Sequence, residues 1–487
     1  MQGIRKILNR PESKWTAGAV GLLAALAVLA NASLISCEGG GSGGSGRSSA
    51  ATRAALTANA TKSASPASAA APPVTDRAAL SVGQPELRVR VAAAVEKVSL
   101  ICVAGLTALT GDANPLLATP TGSTGAGQSI AGQALGNAAT VTLQGGTWVM
   151  SGASGEAARL PAGPPLIVAT AKAGTPIGLN GGSYAGRLRL VARTETSDRA
   201  FDVIEFVPVE DYLPGVVGKE LPTGWPLETY RVQAVCARTY AIQERQRAIS
   251  TGAAFDLESS DHDQVYGGMT ANGPAAEAVR STCGEVLFWK DQVLRAYFSS
   301  TCGGRTGAAK DTWPTGPGWE FNLAEPIQSH PREFACQNSP LFRWTVTRDR
   351  QELVKRIRAF GEKNQVAVRR IKDLTAVEVI GVDADQRPNR YKVIEPGGAW
   401  YQLAAEELRV ACNFDAPGCP AIERKTRVNS GDFEMKVAGG TVTISGRGFG
   451  HGVGMCQFCA KGFAERGENW RTMVARFYPG ARVEKVY

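Results

Sequence analysis

The period of the apolar residues changes at about residue 209, and that change constrains the fold more than any other feature. Between Glu86 and Pro208, short β-prone runs at 87–91, 98–103, 139–143, 165–169 and 188–192 are separated by glycine-rich turns. This is the pattern of an antiparallel β region. Beyond it, Val209, Tyr212, Leu213, Val216 and Val217 fall at i, i+3, i+4, i+7 and i+8, one face of a helix that Pro214, Gly215 and Gly218 should shorten or kink. A second helix is expected after Thr223, with Pro226 in its first turn and a stripe of Leu227, Tyr230, Ala234, Ala237 and Ala241. Further on the pattern predicts strands at 286–289, 294–299, 376–380 and 391–394, a charged helix over 350–362, and a glycine-rich turn and helix at the C-terminus. The expected class is α+β: a β-rich part over 86–208, then a core over 209–487 carrying a mixed α/β insert at about 345–440.

The N-terminal end reads as an export and tethering segment. Arg5, Lys6, Arg10 and Lys14 precede a charge-free apolar stretch over 17–35 that ends in Leu34-Ile35-Ser36-Cys37, which resembles a bacterial lipobox. Residues 1–36 are then a lipoprotein signal and Cys37 the lipidated residue; an uncleaved signal anchor is the alternative. Both place the remainder outside the cytoplasm, held to a membrane. The Gly/Ser/Ala/Pro-rich stretch to residue 85 is a flexible tether with a root-mean-square span of roughly 35 to 40 Å.

Part of the net charge of +9 lies in residues 1–14, and no Lys/Arg stripe with interleaved aromatics follows, so nucleic acid is not an expected partner. Ten cysteines in an exported chain permit disulfides. Cys456 and Cys459 have the CxxC spacing of a redox or zinc site, whereas Cys412 and Cys419 could form local bridges.

Three places could carry chemistry. Glu220 lies eleven positions after Val209, which at about 100° per residue returns it to the apolar helix face. A carboxyl there loses hydration and becomes a better general acid; the alternative is an ion pair with Lys219, Arg231 or Arg238. In Gly448-Phe449-Gly450-His451-Gly452-Val453-Gly454 the glycines strip side chains from the backbone around His451, which suits either a ligand loop or a tight structural turn. Ser299 to Thr306 form a polar turn after a strand. His262, His330 and His451 are the only histidines, and none has a serine-hydrolase signature. Zinc bound by Cys302, Cys336 and His330 would need spacings of 34 and 6 residues that match no standard pattern, and a disulfide from Cys302 to Cys336 is the alternative.

Five ordered blocks then resemble the SpoIID/LytB family of stage II sporulation protein D and amidase-enhancer proteins. They are 209–222 with Trp225 and 233–240, then 264–267, 278–284, 300–306 with Trp313, and 448–457. The resemblance implies two lobes around a glycan-binding cleft and a lytic transglycosylase that cuts denuded peptidoglycan strands to 1,6-anhydromuramoyl ends. Glu220 would be its catalytic acid and base, with Arg238, Tyr240, Gln264, Tyr266, Ser300, Thr301, His451 and Gln457 lining the glycan groove. The amidase-enhancer branch gives the rival expectation of a non-catalytic module that holds glycan or a cell-wall amidase; a wall-anchoring lipoprotein with Glu220 in an ion pair is a third. The chain departs from the family pattern at Cys456, Cys459 and Gly218-Lys219, and Lys219 would lower the acid's pKa if the two side chains met. Some zinc-binding relatives carry a histidine near position 299 and paired cysteines near 336. Here Ser299 and Glu333 stand at two of those places, so the resemblance implies no complete family zinc site, and no cofactor is expected.

Overall fold

The computed structural model describes residues 83–487 apart from 111–132, 153–156, 171, 173, 185–186, 261–262 and 271–272. The export segment, Cys37, the tether up to residue 82 and His262 therefore lie outside the described residues. Among the described residues no helix is long and apolar enough to cross a membrane.

The fold is α+β, and its first half is the antiparallel sheet that the alternating runs predict, extended at one edge by a short parallel strand. Its strands are β1 (Glu86–Val95), β2 (Lys97–Thr110), β3 (Gln133–Gln144), β4 (Thr147–Gly152), β5 (Ala157–Pro161), β6 (Leu166–Thr170), β7 (Ile177–Leu179), β8 (Gly182–Tyr184), β9 (Arg187–Ala192), β10 (Phe201–Pro208) and the short β11 (Leu257–Glu258). The path runs β11-β1-β10-β9-β6-β2-β3-β4-β5, with β7 and β8 attached to β2. Alternate residues point inward, so Val98, Leu100, Trp148, Met150, Leu166, Val168, Leu188, Leu190, Phe201 and Val203 form one core. Trp148 meets Phe201 edge to face at 5.2 Å.

Strand β10 passes directly into α1 (Val209–Glu220), and Val209 N donates to Pro85 O, tying the helix start to the beginning of β1. Pro214 lies inside α1, which remains one continuous helix. Its inward face carries Val209, Tyr212, Leu213, Val216 and Val217. Gly215 is required there by packing: a Cβ would stand 2.2 Å from Gly268 O and 2.7 Å from the Tyr266 ring. The long helix α2 (Leu227–Ser250) is buried on most sides. It packs against α1, α3 (Pro274–Ser281) and β12 (Glu285–Trp289).

The expected strand at 294–299 is instead two short ones, β13 (Gln292–Val293) and β14 (Phe298–Ser299). Between them Arg295 turns inward, where Nη1 bonds Gln243 and Glu244 of α2 and Nη2 donates to Tyr240. That buried charge interrupts the alternation.

After a short helix α4 (Ala309–Thr312), another core gathers between residues 344 and 444. Strands β15 (Trp344–Asp349), β16 (Ala376–Val382), β17 (Pro388–Ile394), β18 (Trp400–Ala404), β19 (Phe433–Ala438) and β20 (Thr441–Gly446) form two three-stranded sheets. Helices α5 (Arg350–Asn364) and α6 (Ala405–Cys412) bury Leu353, Ile357, Phe360 and Leu408 against them. Asp349 caps α5 by accepting from Glu352 N at 2.9 Å. The chain then returns to the main core through β21 (Met455–Cys456), α7 (Gln457–Glu465), α8 (Trp470–Phe477) and β22 (Arg482–Lys485), which pairs with β12.

Candidate active site

Glu220 is the last residue of α1 and is half-buried. Gln457, the first residue of α7, donates from Nε2 to Glu220 Oε2 at 3.0 Å and to Gln233 Oε1 of α2 at 3.2 Å. Lost hydration raises the Glu220 pKa above its usual 4.5, while hydrogen bonds from Gln457 and the Val265 backbone pull it down by less. No cation is among these influences. Lys219 lies over Gly267, Arg231 pairs with Glu228, and Arg238 pairs with Glu210. The ion-pair expectation for Glu220 is therefore corrected: among the described residues Glu220 makes no ion pair, and Arg231 and Arg238 are paired with other carboxylates.

The loop that carries Gln264 and Tyr266 meets α1 from the other side. Gln264 is buried, accepts from Tyr212 OH at 3.2 Å and donates to Ala237 O at 3.2 Å. The buried Tyr266 ring lies 4.6 Å from that of Tyr212 and 6.0 Å from that of Tyr184. These two residues position α1 and the Val265 amide rather than presenting polar groups outward.

Arg238 and Tyr240 are likewise corrected from groove to core. Arg238 is 0% exposed and makes a two-pronged contact with Glu210 at 2.7 and 2.8 Å. Tyr240 donates to Asp263 Oδ1 at 3.0 Å and accepts from Arg295 at 2.9 Å. Both side chains are satisfied by these internal partners, and they stabilise the packing of α2.

The polar turn and the histidine loop do come together. β14 pairs with β21 in parallel, Phe298 opposite Met455 and Ser299 opposite Cys456, and Thr301 and Phe449 exchange backbone hydrogen bonds at 3.1 and 2.8 Å. Thr301 is buried, its hydroxyl 2.8 Å from Ser339 Oγ, whereas Ser300 is half-buried and its carbonyl accepts from Phe458 N at 3.0 Å. His451 Nδ1 accepts from Val453 N at 3.0 Å, so its proton sits on the other ring nitrogen. Desolvation lowers its pKa to about 4, leaving it neutral at pH 7. Its ring stands 4.8 Å from that of Trp313, which is stacked on Tyr297 at 3.8 Å.

Two aromatic residues flank the carboxyl end of the site. Phe458, next to Gln457, meets Trp225 at 5.0 Å, and both are half-buried. Gln233 and Phe458 were not among the expected site residues; both stand in the motif blocks or beside them, and only the spatial approach of α2 and α7 reveals them. The structure thus brings Glu220, Gln457 and Gln233 into one hydrogen-bonded group, with Ser300 joined through α7, while no direct contact links His451 to Glu220 among the described residues.

Among the described residues one cluster could hold a metal ion. Cys302, Cys336, Cys456 and Cys459 place their sulfurs within 4.8 Å of one another, all buried. The expectation of no metal ligands considered Cys302 and Cys336 with His330, but His330 directs Nδ1 at Gln328 O and is not among these ligands. Cys412 and Cys419, the expected local pair, are both free thiols, Cys412 in the 344–444 core and Cys419 against Glu352 O.

Residues 197–289, which span β10, α1 and α2, match the family model described as stage II sporulation protein, SpoIID. An uncharacterized protein of Brachyspira hyodysenteriae is 28% identical over 63% of this chain and 73% of its own length. The amidase enhancer of Bacillus subtilis is 27% identical over 55% of this chain and 39% of its own length, and stage II sporulation protein D of Bacillus subtilis is 26% identical over 58% and 76%.

Proposed function

We propose that this chain, whose residues 197–289 match the SpoIID family model and which is similar to stage II sporulation protein D and the amidase enhancer, acts on the bacterial cell wall as a peptidoglycan lytic transglycosylase with Glu220 as its single acid and base. The observation that carries this reading is a half-buried carboxyl at the end of α1 that has a hydrogen-bond partner in Gln457 and, among the described residues, no ion pair. Desolvation raises the pKa of such a group, the direction that suits a general acid.

A hydrolysing glycosidase commonly needs two carboxylates, one of them to activate water or attack the sugar. A lytic transglycosylase uses the substrate's own C6 hydroxyl. Protonated Glu220 gives its proton to the glycosidic oxygen as the bond from C1 breaks, and the leaving sugar departs with a free hydroxyl. The resulting carboxylate then takes the proton of the C6 hydroxyl as its oxygen bonds to C1, closing the 1,6-anhydro ring and restoring the acid. No water is consumed.

Gln457 holds carboxyl oxygen Oε2, with Gln233 behind it, and together with the Val265 backbone it would fix the orientation of the acid. The half-buried rings of Trp225 and Phe458 would support apolar sugar faces beside the acid. Ser300, His451 and Trp313 would line the continuation of the groove. Lipid anchoring through Cys37 would place this body on the outer side of a membrane, within reach of the wall.

Digestion of denuded glycan strands, read by mass spectrometry, tests the proposal. The chain should release anhydromuramoyl ends, and Glu220→Gln should reduce the rate by roughly 10²-fold to 10⁴-fold, the usual contribution of a general acid. Equal release by the variant would overturn it. The name of the Bacillus subtilis relative favours a second reading, in which the chain binds glycan and enhances an amidase. Binding to denuded strands with no new chain ends, together with faster cleavage by an added amidase, would select that reading.

A further inference from the structure

The four buried cysteines come from three separated parts of the chain. Cys302 follows β14 in the polar turn, Cys336 lies in the segment before β15, and Cys456 and Cys459 straddle the start of α7. Cys302 Sγ is 3.6 Å from Cys336 Sγ and 3.7 Å from Cys459 Sγ, and no two of the four are more than 4.8 Å apart. A disulfide would draw its sulfurs to about 2 Å. A tetrahedral zinc ion with Zn–S bonds of about 2.3 Å separates its sulfurs by about 3.8 Å. One sulfur almost equidistant from two others, at that spacing, fits a shared central ion better than pairwise bonding.

The surroundings suit thiolates. Cys456 is the N-cap of α7, where its sulfur accepts from Cys459 N at 3.4 Å, and Cys302 N donates to the same sulfur at 3.2 Å. Ala335 N donates to Cys459 Sγ at 3.4 Å. Backbone donors and the positive end of a helix both favour negative charge on these atoms. The ligands are at most 1% exposed, so no position is left for water, as in structural rather than catalytic zinc sites.

We infer that Cys302, Cys336, Cys456 and Cys459 form a closed tetrathiolate site for a soft divalent ion, zinc foremost. Binding converts four thiols to thiolates, releases four protons and leaves a complex of charge −2, with no change of oxidation state. The CxxC pair brackets Gln457, the residue that bonds Glu220. The ion therefore pins the first turn of α7 to the polar turn and to the segment before β15, and it acts on the carboxyl as a positioning element, not as a participant in chemistry.

The test is metal content and thiol state of the full chain purified without chelator. Elemental analysis should find about one zinc per chain, and intact mass should show these four cysteines reduced. Cobalt substituted for zinc should give the intense visible bands of tetrahedral thiolate coordination. Cys336→Ser and Cys459→Ser should each lose the ion, while Glu220→Gln should retain it in full, which separates this inference from the assignment of the acid. A metal-free chain whose mass is lower by four hydrogens, with peptides cross-linked among these cysteines, would overturn the inference. So would equal zinc in the serine variants. If those variants do not accumulate, zinc release from the native chain by a thiol-modifying mercurial, stoichiometric with four thiols, decides the matter.

Discussion

The carboxyl of Glu220 and the imidazole of His451 are both displaced from their ordinary titration by loss of water, in opposite directions. For Glu220 the folded pKa lies above 4.5, so the acid form needed for proton donation persists above that pH and activity falls on the alkaline side of the folded value. Its contribution to stability has the same sense: present below 4.5 and lost as the pH rises through the folded value. Gln457 stabilises the carboxylate, so Gln457→Leu should move the alkaline limb of kcat to higher pH, read from rates on denuded strands. His451 behaves oppositely. Between 6.5 and about 4 the unfolded chain takes up a proton at this position that the folded chain refuses. Its contribution to stability is present above 6.5 and lost as the pH falls through about 4. His451→Gln should flatten the pH dependence of the urea midpoint across that window.

Helix α1 shows which features of an element were legible. The spacing of its apolar residues located the helix and its inward face, because one helix face is a local property. Membership of a motif block did not separate groove from core, and so Arg238 and Tyr240 were misplaced. Helix α2 is buried almost all round, and a helix enclosed on every side has no polar stripe to mark which residues face a ligand. Arg238→Met should therefore destabilise the fold by about 3 to 5 kcal/mol in urea titration, since it leaves Glu210 without its buried partner. Gly215→Ala tests the packing of α1: with Gly268 O only 2.2 Å from the new methyl position, a loss of about 1 to 3 kcal/mol is expected from overpacking, together with lower activity if α1 shifts.

At the scale of the molecule, the alternating runs made the antiparallel sheet readable, since pairing and burial both follow period two. The convergence of four cysteines could not be read, because each ligand comes from a segment whose neighbours only folding supplies. The region between residues 344 and 444 has its own core, and its ends are joined by the antiparallel pairing of Trp344 with Gly446. Residues 341–446 expressed alone should unfold cooperatively by circular dichroism. Within the whole chain the same region reaches back: Asp385 accepts from Thr306 N at 2.6 Å, while Arg387, two residues later, donates to Gly450 O at 3.4 Å. Two loops far apart in sequence are thus fastened to one hairpin tip. A displacement of either loop is therefore carried to the same tip, and through it to the other loop.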